Sequence, residues 1–232
     1  MRIKLSNRLQ AVARHIPAGA SVADIGTDHG YLPVFLVIND ISGKVIASDR
    51  SKGPLSAAEQ LVRLLSLENQ ISLRLGEGLS VLQPGEAEVI CVAGMGGVAI
   101  TGILAENMEI ARAARRLVMQ PQRNVPAVRR FLADNGFRLV AEDLAEDDGF
   151  FYEILVAEPG EMTLDDWQAE FGPLLLEQRH PLLKDFLKLR ERDLTRLLEA
   201  MRDNNSPDSL RRREQLDEEI SRINRVIGRI EG

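Results

Sequence analysis

A chain of 232 residues, 44% hydrophobic and 28% charged, can bury one full α/β core with a smaller appendage, and its composition is far from that of a disordered protein. A single cysteine, Cys91, excludes an intrachain disulfide, and three histidines, His15, His29 and His180, leave no Cys/His cluster at zinc-ligand spacing, so no metal is expected. The net charge of −6 lacks the basic footprint of a nucleic-acid binder, yet it is unevenly spread: residues 179–232 carry 13 Lys/Arg against 11 Asp/Glu, and the acidic excess lies upstream.

Residues 1–10 form a polar, helix-like stretch without an apolar signal core, and no apolar run approaches the ~18 residues of a membrane span, so a cytoplasmic protein is expected. Seven short apolar runs then read as strands: Ser21 to Ile25, Lys44 to Asp49, Ile71 to Leu75, Val89 to Ala93, Arg116 to Gln120, Phe137 to Leu144, and Phe150 to Val156. The first five are each followed by a helical stretch, the sign of a parallel sheet with crossover helices. The last two are joined only by the polar turn Ala145 to Gly149 and should form an antiparallel hairpin. This pattern predicts an α/β fold, the seven-stranded Rossmann-like sheet of class I methyltransferases, and differs from dehydrogenases, whose sixth strand stays parallel.

After Pro159-Gly160 the strand signal stops, which predicts a catalytic domain over 1–160 and a helical domain over 161–232. Leu183, Leu187, Leu194, Leu197 and Met201 are spaced 4, 7, 3 and 4, and Leu216, Ile220, Ile223, Ile227 and Ile230 are spaced 4, 3, 4 and 3. The break at Asn204 to Asp208, with Ser206 or Asp208 as a helix cap, turns these seams into a coiled-coil-like helical hairpin. Pairing within one chain, and hence a monomer, is favoured over a homodimer through the tail.

The first strand ends in Ala23-Asp24-Ile25-Gly26-Thr27-Asp28-His29-Gly30, a glycine turn where a ligand can approach the backbone at the carboxyl edge of the sheet. The dinucleotide fingerprint G-x-G-x-x-G is absent, and Asp24 and Asp28 would repel a pyrophosphate at the helix start. S-adenosylmethionine, which has no phosphate and carries a sulfonium and an ammonium, suits these carboxylates better. Asp49, 25 residues beyond Asp24 and followed by Arg50, stands where a ribose-binding carboxylate belongs; Glu77 and Gly78 end the third strand where an adenine edge would lie. The fourth strand runs into Ala93-Gly94-Met95-Gly96-Gly97, a floor almost without side chains on which a flat group can rest. Gln120-Pro121-Gln122-Arg123-Asn124 follows the fifth, offering amides for a base edge and Arg123 for a phosphate, while Asn124 can equally cap the next helix.

DIGTDHGYLP (Asp24 to Pro33), AGMGG (Ala93 to Gly97), Gln120-Pro121 and EILVAEPG (Glu153 to Gly160) resemble the bacterial TrmK family, and the helical tail matches in kind. The sequence departs from that family's usual residues at Thr27, Gly30, Glu77 and Gln122, where serine, alanine, aspartate and asparagine are common. The resemblance implies transfer of a methyl group from S-adenosylmethionine to N1 of an adenine in the D-arm region of tRNA. It implies cofactor contacts from Asp24, Gly26, Asp28, His29, Asp49, Arg50, Glu77, Gly78, Ala93, Gly94 and Met95, and substrate contacts from Gly96, Gly97, Gln120, Pro121 and Arg123. Tyr31 is the candidate stacking platform for an extruded base, and Asp28 the carboxylate that stabilises the cationic product or takes a proton from the exocyclic amine. The tail arginines, notably Arg211, Arg212, Arg213, Arg222, Arg225 and Arg229, read either as a solvated face or as a phosphate track. Two alternatives stay open: a small-molecule methyltransferase whose tail is a lid or dimer contact, and a non-catalytic RNA-binding protein on a vestigial fold.

Overall fold

The computed structural model describes residues 3–204 and 206–231. Helix α1 (Asn7–Arg14) precedes an alternating series: β1 (Val22–Ile25), α2 (Tyr31–Ile38), β2 (Val45–Asp49), α3 (Lys52–Leu64), β3 (Ile71–Leu75), a 3-10 turn (Gly78–Val81), β4 (Val89–Met95), α4 (Gly97–Glu106), α5 (Met108–Ala113), β5 (Arg116–Pro121) and α6 (Val125–Asp134). The long strands β6 (Phe137–Asp147) and β7 (Phe150–Pro159) close the sheet, followed by α7 (Asp166–Phe171), α8 (Pro173–Glu177), α9 (Leu183–Ala200) and α10 (Pro207–Glu231).

The seven strands lie in the order β3-β2-β1-β4-β5-β7-β6, with β7 antiparallel to both neighbours and the rest parallel. This is the expected methyltransferase sheet. Alternate residues of each central strand feed opposite layers: Val22, Val45, Cys91 and Val118 pack with α1 and α2, whereas Ala23, Ile46, Ile90, Leu117 and Met119 pack with α4 and α6. Burial on both faces explains why these strands read as continuous apolar runs rather than alternations. The order of connection reverses between β1 and β4, and the crevice beyond their carboxyl ends is where such sheets bind ligands.

The hairpin is tighter than its sequence predicts. Asp147 pairs with Phe150, leaving only Asp148 (φ 51°) and Gly149 (φ 79°) in the turn. Two consecutive left-handed residues make the Asp-Gly turn that matches the twist of the flanking strands. The strand extends through Glu146 and Asp147 because α1 docks there: Asp147 accepts from the amides of Asn7 (3.3 Å) and Arg8 (3.5 Å), and Asn7 Nδ2 donates to the Glu146 carbonyl (3.0 Å).

The chain forms two compact units that divide after Leu175, not after Gly160. The cause is a buried ion cluster in the first unit. Arg129 of α6 is fully buried; its Nε donates to Glu142 (2.6 Å), Nη2 to Glu153 (2.5 Å) and Nη1 to the Ala169 carbonyl of α7 (3.1 Å). Glu142 also accepts the Leu174 amide (2.8 Å), and Trp167 packs against Phe171 at 4.9 Å. Residues 161–175 are thereby fastened to the sheet's own helix and hairpin.

In the second unit α9 and α10 run antiparallel: Lys184 pairs with Glu231 (2.7 Å) near one end, Arg190 with Glu219 (2.5 Å) midway, and Arg213 donates to the Arg202 carbonyl (3.3 Å) at the other. Leu183 and Leu187 of α9 and Leu216, Ile223, Val226 and Ile227 of α10 are buried. Leu197 is exposed, and the half-buried Leu198 lies on the seam instead, one turn after Leu194. Ser206 caps α10 by accepting the Ser209 amide (3.2 Å). Among the described residues, no helix is long and apolar enough to cross a membrane.

Candidate active site

A cleft of about 750 Å³ opens at the carboxyl ends of β1 to β4. Thirteen of the residues expected at the site line it together: Asp24, Gly26, Asp28, His29, Tyr31, Asp49, Arg50, Glu77, Gly78, Ala93, Gly94, Met95 and Gly96. Four do not, namely Gly97, Gln120, Pro121 and Arg123. Sequence reasoning missed Arg8 and Leu9 of α1, Thr27, and Ala99, Ile103 and Glu106 of α4, all of which are cleft residues.

Asp24 is the most deeply placed charge, only 4% exposed. Burial, reinforced by the charge of Asp49, pushes its carboxyl from the usual 3.8 up to about 6. The Thr27 hydroxyl opposes this shift without reaching hydrogen-bond geometry; its Oγ1 is buried with no partner among the described residues. An ionised Asp24 is therefore poorly solvated and calls for a cation, while Thr27 has a donor and an acceptor to spare.

Asp49 is held by backbone: Oδ2 accepts from the Asp28 amide (3.2 Å) and Oδ1 from the Ser51 amide (2.8 Å). The Gly26 and Thr27 amides both donate to the Ser48 carbonyl (2.8 Å each), locking the β1 turn onto the end of β2. Asp28 adopts φ 53° and pairs through Oδ1 with His29 Nδ1 at 2.8 Å, both side chains more than half exposed. The His29 ring stacks on Tyr31, centroids 5.9 Å apart and planes 7° from parallel. Tyr31, 50% exposed, presents an open aromatic surface at the cleft mouth. Neither Thr27 nor Asp28 caps α2; its N-cap is Gly30. Arg50 and Glu77 approach at 4.0 Å in solvent, a pair of little energetic weight.

The loops after β4 and β5 correct the expected substrate contacts. Gln120 is fully buried and its amide is spent: Oε1 accepts from Arg8 Nη1 (2.7 Å) and the Gly94 amide (3.1 Å), and Nε2 donates to the Pro121 carbonyl (3.1 Å). It is a strut, with no free edge for a base. Pro121 is buried in β5. Arg123 is exposed and lies across Gly96, and Asn124 stands at the start of α6 with no side-chain capping bond. Gln122 lines the cleft instead. Gly97 seals one loop to the other: its amide donates to the Arg123 carbonyl (2.8 Å), and a Cβ there would sit 2.7 Å from the Asn124 oxygen and 2.8 Å from that of Arg123. Since both are backbone atoms, Gly97→Ala is expected to destabilise by about 1–3 kcal/mol, checked by urea denaturation. Cys91 is fully buried in β4, and burial, then Asp24, drives its thiol well above the usual range, so it is an inert core residue.

This fold and cleft match known proteins. The chain fits the methyltransferase-domain family over residues 5–155. It is 42% identical over 159 residues to the tRNA (adenine(22)-N(1))-methyltransferase of Bacillus subtilis (strain 168), covering 68% of this chain and 67% of that protein. Among solved structures, the B. subtilis m1A22 tRNA methyltransferase TrmK shares 32% identity at a TM-score of 0.86, over 97% of this chain and 100% of that one. Sp1610 of Streptococcus pneumoniae, solved in complex with S-adenosyl-L-methionine, shares 34% identity at a TM-score of 0.87 over the same proportions. The glycine turns and acidic strand ends that resembled one group of RNA-modifying enzymes are thus joined by identity along most of the chain, and the protein belongs to the TrmK family of S-adenosylmethionine-dependent tRNA (adenine-N1)-methyltransferases.

Proposed function

We propose that this enzyme transfers the methyl group of S-adenosylmethionine to N1 of adenine 22 in tRNA, as the name of its B. subtilis relative describes for that protein. The observation that carries the proposal is the acidic cleft at the switch point, with Asp24 buried behind Gly26 and Tyr31 open at the mouth. The residues present fit the cofactor. Among the described residues Asp24 has no cation paired with it and Thr27 Oγ1 has no hydrogen-bond partner, while Asp49 is oriented by two amides with lone pairs left for hydroxyl donors. When bound, S-adenosylmethionine supplies an electrophilic methyl on a sulfonium.

Adenine N1 carries its own lone pair, so the protein's task is positioning rather than activation of the nucleophile. Pairing hides that atom, so the base must be unpaired or extruded before it can enter the cleft. Tyr31, backed by the His29 ring, offers a face on which it can stack. Asp28, held by His29 at the same rim, faces the positive charge that N1 methylation places on the base, or accepts the proton that charge makes acidic at the exocyclic amine. Asp28→Asn is expected to lower kcat at saturating cofactor by roughly 100-fold, a loss beyond any change in cofactor affinity. Single-turnover transfer alongside calorimetric cofactor binding separates the two, and full turnover by the variant would remove Asp28 from the chemistry.

The helical unit, with Arg211, Arg212 and Arg225 exposed on α10, is proposed as the tRNA-binding domain. Helix pairing within one chain supports a monomer. Neutralising phosphates releases counterions, so tRNA affinity should fall steeply with salt, and changing these three arginines to glutamine should flatten the slope by roughly one for each phosphate left without its arginine. An unchanged slope would leave them a solvated face. The proposal as a whole is tested with tRNA transcripts carrying adenine or guanine at position 22: methyl incorporation into the first alone supports it, and equal incorporation into both sinks it.

A further inference from the structure

Adenine offers three ring nitrogens with free lone pairs, N1, N3 and N7, and an electrophilic methyl reacts with whichever of them it meets. Stacking on Tyr31 fixes the plane of the base but leaves it free to turn within that plane. Only a group that holds one edge can decide which nitrogen is presented. The edge away from N1 carries an amine hydrogen beside the N7 lone pair, one donor and one acceptor, whereas guanine shows two acceptors there. The side chain that matches a donor beside an acceptor is a primary amide.

Among the described residues, the lining of the cleft contains one such side chain, Gln122. It is exposed, and its amide group makes no hydrogen bond among the described residues. Gln120, two residues earlier, is the opposite case, buried and consumed by Arg8, Gly94 and Pro121. The backbone beneath Gln122 is fixed. Its own amide donates to the Met95 carbonyl at 2.8 Å, and the next carbonyl, that of Arg123, accepts the Gly97 amide at 2.8 Å. The loops after β4 and β5 are thus laced together, and Gln122 is rooted at the edge of the glycine floor. Gly94, at φ 79°, keeps that floor clear: the end of the Gln122 side chain lies 3.9 Å from where a Cβ on Gly94 would stand.

We infer that Gln122 is the specificity-determining residue that holds the N6–N7 edge of the adenine, its carbonyl oxygen accepting from the exocyclic amine and its NH2 donating to N7. The contact occupies the N7 lone pair and turns N1 away from Gln122. The amine's second hydrogen, on the N1 side, is left for Asp28. Guanine sets a pair of acceptors against the same amide, and one of the two bonds is lost. The inference rests on the adenine substrate assigned under the proposed function.

The test uses the full chain, as wild type, Gln122→Met and Gln122→Glu, with two tRNA substrates that carry adenine or 7-deazaadenine at position 22; the second has a C–H in place of N7. Removing N7 also alters the nucleophilicity of N1, an effect common to all three enzymes. The quantity read is therefore the ratio of kcat/KM on the two substrates at saturating cofactor. Gln122→Met is expected to lose roughly 5- to 50-fold on adenine, and the ratio of adenine to 7-deazaadenine should be about fivefold or more higher in wild type than in the variant. Glutamate keeps an acceptor for the amine but loses the donor for N7, so Gln122→Glu should show the lowered ratio while retaining more of the rate. A wild-type ratio in either variant overturns the inference: with full turnover Gln122 is a solvated side chain, and with weakened calorimetric cofactor binding its amide belongs to the cofactor. Wild type that methylates neither substrate at position 22 would overturn the proposed function itself, and this inference with it.

Discussion

Asp24→Asn will deprive the enzyme of its cofactor while making the empty protein harder to unfold. The Asp24 carboxyl titrates at about 6 in the folded chain against 3.8 in the open, because burial disfavours its charge. Between those values the folded state holds a proton that the unfolded state has lost, so stability declines as pH rises from about 4 to 6. Above pH 6 the charge is present in both states and the folded one bears the penalty. Asparagine removes it, which is worth about 1–3 kcal/mol of apo stability at pH 7.5. The same change leaves the ligand's cation without its counter-charge. We expect a raised melting temperature without ligand, loss of most of the further rise that S-adenosylmethionine gives wild type, and at least a 100-fold loss of affinity. In wild type the affinity should fall as pH drops through 6, by up to about tenfold per unit, and in the variant it should be flat. Wild-type affinity in Asp24→Asn would remove this residue from the site.

Arg129→Ala is the substitution expected to damage the fold most. It strands Glu142 and Glu153, whose side chains are 0% and 12% exposed, without their shared cation, and empties the volume of a fully buried side chain. Breaking such a cluster from one side costs about 3–5 kcal/mol. It also frees the Ala169 carbonyl and loosens the carboxylate that holds Leu174, so residues 161–175 should become the first segment cut by limited proteolysis. Replacing the whole cluster, Arg129→Met with Glu142→Gln and Glu153→Gln, should recover much of the loss, because the expense lies in uncompensated charge. Chemical denaturation reads both variants; a loss below about 1 kcal/mol in Arg129→Ala would contradict this account.

The same cluster explains where the amino-acid sequence misleads. Pro159-Gly160 looks like a boundary, and the residues beyond it look like the start of a separate helical domain. The contacts that bind them to the sheet unit run from Arg129 to Glu142, Ala169 and Glu153, and nothing local to 161–175 announces them. The sheet is legible for the opposite reason. Strands buried on both faces must be continuous apolar runs, the Asp148-Gly149 turn marks its own hairpin, and the order of elements then leaves few topologies.

In the cleft, the acidic strand ends are legible because the fold delivers every carboxyl end to one crevice. Asp24, Asp49 and Glu77 need only stand at or near the ends of their strands to meet there. Arg8 is not legible: it sits in an ordinary polar helix, and its partner Gln120 lies 112 residues away. An amide after a strand looks free to read a base, which is what the sequence suggests for Gln120. Its burial, and the three hydrogen bonds that consume it, are properties of the packed sheet.

The most direct test of the central claim is methyl transfer from labelled S-adenosylmethionine to unmodified bacterial tRNA, followed by digestion to nucleosides. The account predicts label in 1-methyladenosine alone. Label in a different nucleoside, or cofactor bound with no label entering tRNA, would contradict it.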